Sequence, residues 1–277
     1  MIHQLHPCLW FDGLAKAAAE LYCSAFENST IIADTPMVVT FELEGIKFMG
    51  LNGGPMFKIN SSISFFVLCN SAEEIDAKWE KLSAGGTVMM PLNKYPWSEK
   101  YGWCQDKYGV NWQLMMGNNV GQKIYPSLMF TQQQSGKAEA AINFYTTVFK
   151  DAAIKTINRY GKGEGDIEGT IKYAEFSLNG QLFSAMDSSA PHAFIFNEGV
   201  SIVVPCETQE EIDYYWDKLT EEGQESQCGW LKDKFGVSWQ IIPAILGQLM
   251  TDKEKAPRVM QAFMKMKKFD IEQLLNA

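Results

Sequence analysis

No apolar run in the chain approaches the roughly 20 residues that a membrane-spanning helix needs. The opening, MIHQLHPCLWFDG, has neither a basic start nor a long apolar segment, so no secretory signal is expected. Positive charge is in deficit, with 24 Lys and Arg against 33 Asp and Glu and a formal net charge of −9. That balance argues against nucleic acid and anionic membranes as partners, because both attract basic surfaces. Histidine is scarce at three residues, and the six cysteines include no C-x-x-C pair. No G-x-G loop follows a first strand, which removes the usual holder of a nucleotide-like methyl donor.

What remains is an ordinary globular composition, 46% hydrophobic and 21% charged over 277 residues, long enough for two compact units. Cys8, Cys23, Cys69, Cys104, Cys206 and Cys228 sit mostly among apolar neighbours and read as free structural thiols, which fits a cytoplasmic location.

The chain contains its own copy. Gly102–Met115 (GWCQDKYGVNWQLM) returns as Gly229–Ile242 (GWLKDKFGVSWQII), with eight of fourteen positions identical. EEIDAKWEKL (73–82) matches EEIDYYWDKL (210–219), and HPCLWF (6–11) matches YPSLMF (125–130). The spacing between equivalents grows from 119 at Pro7 and Pro126 to 137 at Trp79 and Trp216, then falls to 127 at Trp103 and Trp230. The second copy therefore gains loop length early and loses ten residues where the first carries MPLNKYPWSEKY.

Within copy one, hydrophobic periodicity predicts a strand at 4–11, a helix at 13–26, and strands at 30–34, 37–44, 46–51 and 62–69. Ser71, with Glu74 three residues on, predicts a capped helix over 72–84, stopped by Gly85-Gly86. Strands near 87–90, 101–106 and 110–116 complete the copy. The fold class is α+β: tandem βαβββ half-units in domains 2–118 and 124–245, then a helical tail over 251–277. In that tail Pro257 suits a first helical turn, and Val259, Met260, Phe263, Met264 and Met266 form the expected apolar face.

PCLWFDG (7–13), LNGGPMFKINSSISFFV (51–67), PLNKYPWSEKYGWCQDKYGVNWQL (91–114) and RVMQAFMKMKKFDI (258–271) together resemble the glyoxalase / bleomycin-resistance / dioxygenase, or vicinal oxygen chelate, family. The closer likeness is to its PhnB-like, 3-demethylubiquinone-9 3-methyltransferase-like group. The resemblance implies two glyoxalase-like cupped sheets and a small-molecule ligand. It also implies an internal pseudo-dimer of the two copies, to which the tail helix adds a surface for a further homodimer. Metal-dependent members hold a divalent ion on their first and closing strands. Those positions fall at His6 and Gln113 in copy one and at Tyr125 and Gln240 in copy two. No complete ligand set results, so no cofactor is expected; His6 and Gln113 are the candidate ligands of the metal-dependent alternative.

Each candidate has a plain structural reading beside the functional one. His6 is a hydrogen-bonded strand histidine or a metal ligand. Gln113 and Gln240 satisfy a buried group or bind a ligand in the cup. Trp103, Trp112, Trp230 and Trp239 read first as core, and Asp106-Lys107 and Asp233-Lys234 as turn and surface residues. The stretch 91–100 reads as a loop offering Tyr95 and Trp97 for stacking and Ser98 and Glu99 for hydrogen bonds, or as packing against the other copy. Three functions follow: a metal-independent binder or enzyme using a copy-one cleft of His6, Tyr95, Trp97 and Gln113; a divalent-metal lyase or isomerase; and a module that sequesters a ligand without turnover.

Overall fold

The computed structural model describes residues 4–117 and 121–277. The chain divides into two units, Pro7–Val200 and a smaller one of Met1–His6 with Ser201–Ala277.

The larger unit runs β1 (His6–Phe11, its first residue counted with the smaller unit), α1 (Ala15–Ala25), β2 (Ser29–Asp34), β3 (Val38–Leu43) and β4 (Ile46–Asn52). There follow β5 (Ile63–Cys69), α2 (Ala72–Ser83), β6 (Thr87–Tyr95), β7 (Ser98–Gln105) and β8 (Asn111–Met116). Copy two begins with β9 (Ile124–Phe130), α3 (Ala138–Val148), β10 (Ala153–Arg159), β11 (Ile171–Leu178) and β12 (Gln181–Asp187). In each of these three half-units the first strand pairs in parallel with the last, and the others follow antiparallel. A parallel pair needs a long crossover, which the helix supplies.

The smaller unit repeats this frame in β13 (Val200–Cys206), α4 (Gln209–Thr220), β14 (Gln224–Glu225), β15 (Trp230–Lys232) and β16 (Ser238–Pro243). Its tail holds α5 (Leu246–Thr251), α6 (Ala256–Phe263) and α7 (Ile271–Leu275). The predicted cap forms, with Ser71 Oγ accepting from the Glu74 N–H at 3.1 Å, and copy two repeats it with Thr208 Oγ1 accepting from the Glu211 N–H at 3.3 Å.

Copy boundaries and sheet boundaries do not coincide. Strand β9 lies antiparallel to β5, with Phe66 opposite Tyr125 and Ser64 opposite Ser127. One eight-stranded sheet results, in the order β10-β11-β12-β9-β5-β8-β7-β6, half from each copy. On its helix-covered face Phe65 and Trp112 stand opposite each other and pack with Tyr22, Phe26 and Phe48. The alternate residues of the same strands line the other face, the inside of a cup.

Three expectations are corrected. Asp106 and Asp233 are not surface residues: each is 3% exposed. Asp106 accepts from the Tyr108 and Val110 N–H groups at 2.8 and 3.1 Å and from Trp112 Nε1 at 2.8 Å. Asp233 repeats this with Phe235, Val237 and Trp239 at 2.9, 3.1 and 2.8 Å. The duplicated Asp and Trp of the two motifs are thus one device, a buried carboxylate that ties a turn to the indole of the next strand.

The stretch 91–100 is a β-hairpin, not a loop. Tyr95 pairs with Ser98 across Pro96-Trp97, and the ladder is broken by three register shifts. Pro91 is tolerated because β6 is an edge strand, where a missing N–H breaks no ladder. In the tail Val259 is fully buried, but Met264 is 60% exposed. The segment after α6 instead follows copy two's short hairpin, where the Cys228 and Gly229 N–H groups donate to the Met266 and Lys267 carbonyls at 2.8 and 2.7 Å.

Candidate functional site

The cup of the eight-stranded sheet has an aromatic wall. Phe66, Tyr101 and Tyr125 are buried at its heart, with Tyr95, Trp103, Tyr173, Leu68, Leu182 and three methionines packed around them. Phe66 stacks on Tyr125 at 5.4 Å between ring centres, and Tyr173 meets Phe66 edge-on at 5.8 Å. At the hairpin tip Tyr95 stacks on Trp97 at 5.0 Å, and both rings meet Tyr101 edge-on. Trp97, 57% exposed, forms the outer lip.

Polar groups cross the cup in two chains. Tyr101 donates its hydroxyl to Gln113 Oε1 at 2.6 Å, and Gln113 Nε2 donates to Ser64 Oγ at 2.7 Å. The Tyr125 and Tyr173 hydroxyls are 3.1 Å apart, and Tyr173 donates to Glu175 Oε1 at 2.7 Å. Burial pushes the Tyr125 phenol up to about 12 and raises Tyr101 and Tyr173 further, so all three keep their protons at neutral pH.

A row of side chains joins the two chains. In strand register Glu175 is opposite Ser184, Ser184 opposite Ser127, and Ser127 opposite Ser64. Ser127 and Ser184 are 1% and 0% exposed, and neither hydroxyl has a hydrogen-bond partner among the described residues. Buried hydroxyls without partners are costly and uncommon.

The family model for 3-demethylubiquinone-9 3-methyltransferase matches residues 3–115 and again residues 122–242. The chain belongs to this family. A putative 3-demethylubiquinone-9 3-methyltransferase, PhnB protein, from Bacillus cereus is 35% identical over 42% of this chain and 100% of its own, with a TM-score of 0.39. Glyoxalase I from Zea mays is 11% identical and covers 91% of this chain and 97% of its own, with a TM-score of 0.60. The 3-demethylubiquinone-9 3-methyltransferase family member described here therefore has the glyoxalase fold in tandem. No curated protein sequence matches it.

In this family member Gln113, Tyr125, Tyr95 and Trp97 share the cup or its lip. Ser98 and Glu99 do not take part. The Ser98 hydroxyl donates to the Lys100 carbonyl at 2.9 Å, and Glu99 pairs with Lys94 on the outer hairpin tip. His6 and Gln240 belong to the smaller unit. His6 Nδ1 lies 3.3 Å from the Gln4 carbonyl, and Gln240 Nε2 donates to Ser201 Oγ at 2.9 Å, repeating the Gln113–Ser64 pair. Within the larger unit Gln113 and copy two's Tyr125 both stand opposite Phe66, one on each side of β5. Sequence reasoning missed Ser127, Ser184, Tyr173 and Glu175. A glutamate between the apolar Ala174 and Phe176 of the AEFSL strand was the available signal.

The glyoxalase fold raises the question of a divalent metal. Among the described residues no group of three or more His, Cys, Asp and Glu side chains comes together. The cup presents one carboxylate, protonated phenols, and an amide whose oxygen and nitrogen both have partners. Such donors do not suit zinc, nickel or iron, which favour imidazole, thiolate and carboxylate sets. The residues of the cup do not fit a divalent metal.

Proposed function

We propose that the cup of the eight-stranded sheet binds a small, partly apolar molecule without a metal, as a binder or an enzyme. The observation that carries this reading is the pair of buried, unpartnered hydroxyls of Ser127 and Ser184 on an aromatic-walled floor. A ligand with a flat apolar body and one polar edge satisfies both features at once. Tyr95 and Trp97 cover its outer face, while Gln113, fixed by Tyr101 and Ser64, offers a rigid amide. No disulfide joins the six cysteines, which suits a reducing compartment such as the cytoplasm. The family's descriptive name speaks of a methyl transfer, but neither a doubly wound sheet nor a glycine-rich first turn supports that chemistry for this chain.

Ser127→Ala and Ser184→Ala test the reading by separating stability from binding. Removing an unpartnered buried hydroxyl should raise stability by about 1 kcal/mol. The same variants should weaken or abolish the thermal shifts that wild-type protein shows with single-ring aromatic alcohols, ketones and amines. Binding untouched by both substitutions, or no shift with any member of the panel, would remove the cup as the site.

Metal content is a separate check. Protein purified without a tag should carry zinc, nickel and iron far below one ion per chain by elemental analysis. Stoichiometric metal would return the lyase or isomerase reading to first place.

A further inference from the structure

The floor of the cup holds a glutamate side chain, Glu175, on β11. Glu175 accepts from the Tyr173 hydroxyl through Oε1, and among the described residues no lysine or arginine forms an ion pair with it. Of the lysines on the strands and connections around it, Lys94 pairs with Glu99, Lys100 with Asp76, Lys123 with Glu44 and Lys172 with Glu164, while Lys155, at the bulge of the neighbouring strand β10, is exposed to solvent. Strand register puts Glu175 at the end of the row whose next two members are Ser184 and Ser127. A ligand group entering there meets a carboxylate, two hydroxyl oxygens able to accept, and the faces or edges of Phe66, Tyr125 and Tyr173.

Carboxylates bind ammonium groups through charge-assisted hydrogen bonds, and aromatic faces attract cations through their quadrupoles. A carboxylate or phosphate ligand would meet Glu175 as a like charge, and the net charge of −9 opposes its approach. We infer that the cup selects amines: a protonated primary or secondary amine on a flat apolar body. The ammonium donates to Glu175 and the two serine hydroxyls, while the body lies within the aromatic wall. This assignment rests on the cup being the binding site, and it names the class of ligand bound there.

The test compares two probes of nearly equal shape, 2-phenylethylamine and 2-phenylethanol, titrated at neutral pH and followed by tryptophan fluorescence. In the wild-type protein the amine should bind about ten-fold more tightly than the alcohol, the scale of one charge-assisted hydrogen bond. Glu175→Gln should bring the two within about two-fold by weakening only the amine, as expected when one charged contact is removed. Glu175→Asp, which keeps the charge and retracts it, should give an intermediate preference and serves if the glutamine variant does not fold. An amine preference unchanged in the folded variants would overturn the role of Glu175. Equal or tighter binding of the alcohol by wild-type protein would overturn the amine class yet leave the cup as the site. Failure of both probes to bind would overturn the amine class and the cup together.

Discussion

Asp106→Ala should be among the most damaging single substitutions in the chain. The carboxylate is 3% exposed and holds two backbone N–H groups and the Trp112 indole N–H, all within 3.1 Å. Burial raises its pKa, against the pull of these donors, so the site is desolvated and depends on its bonds. Alanine leaves three donors without an acceptor beside a fully buried tryptophan, and water replaces none of those bonds without opening the turn. The expected loss is about 4 kcal/mol, allowing for partial relaxation of the turn. Such a loss corresponds to a fall of roughly 10 °C in melting temperature for a chain of this size. Asp106→Asn keeps one acceptor oxygen but turns an NH2 group toward a donor, so about half the loss should remain. Asp233→Ala should match Asp106→Ala, since its three bonds repeat the same geometry. Calorimetry of the three variants decides the matter. An Asp106→Ala protein melting within a degree or two of wild type would show that the carboxylate is not what ties the turn to the strand.

Gly229→Ala is expected to be comparably severe for a different reason. Gly229 has φ of +79°, in the left-handed region that costs a residue with a Cβ about 1–2 kcal/mol. A Cβ would also come within 2.5 Å of the Phe269 ring and 2.6 Å of the Ile241 carbonyl oxygen. The carbonyl belongs to β16 and cannot yield without losing the bond by which the Ile241 N–H donates to Gly229. Phe269, 2% exposed, is the part able to move, and it carries the tail with it. Strain and lost burial together should cost about 3–4 kcal/mol. The loss should appear as a lower urea midpoint and as cleavage by trypsin after Lys265, Lys267 or Lys268 under conditions where wild-type protein resists. A protease-resistant tail in Gly229→Ala would mean that Phe269 is not held by this close approach.

Much of this fold could be read from the amino acids because its devices are local. The caps at Ser71 and Thr208 are written as a hydroxyl residue with a glutamate three positions on, and the βαβββ element order of each half-unit follows from its hydrophobic periods. The Asp–Trp pairs were visible as repeats, but their burial was not, because an aspartate before Lys and Gly looks like any turn residue. The pairing of β5 with β9 was not legible either. Both strands are buried over nearly their whole length, and periodicity says that a strand is covered without saying by which neighbour. That choice shapes the cup, since it puts Tyr125 opposite Phe66. The prolines at 91 and 96 suggested a loop and concealed an edge hairpin. Ser127 and Ser184 carried no signal, because a serine in a strand looks the same whether it packs or waits for a partner.

The seam between β5 and β9 has a consequence for how such a site is inherited. Neither copy, cut free of the other, would contain the cup, because its floor draws Ser64 and Gln113 from one and Ser127, Ser184 and Glu175 from the other. Carried on separate chains, the halves would meet only as often as their concentrations allow. Joined through the short connection from Met116 to Ile124, they face each other at an effective concentration on the order of millimolar. Fusion also frees the two halves from having to stay alike, so one can specialise in the amide and hairpin and the other in the carboxylate.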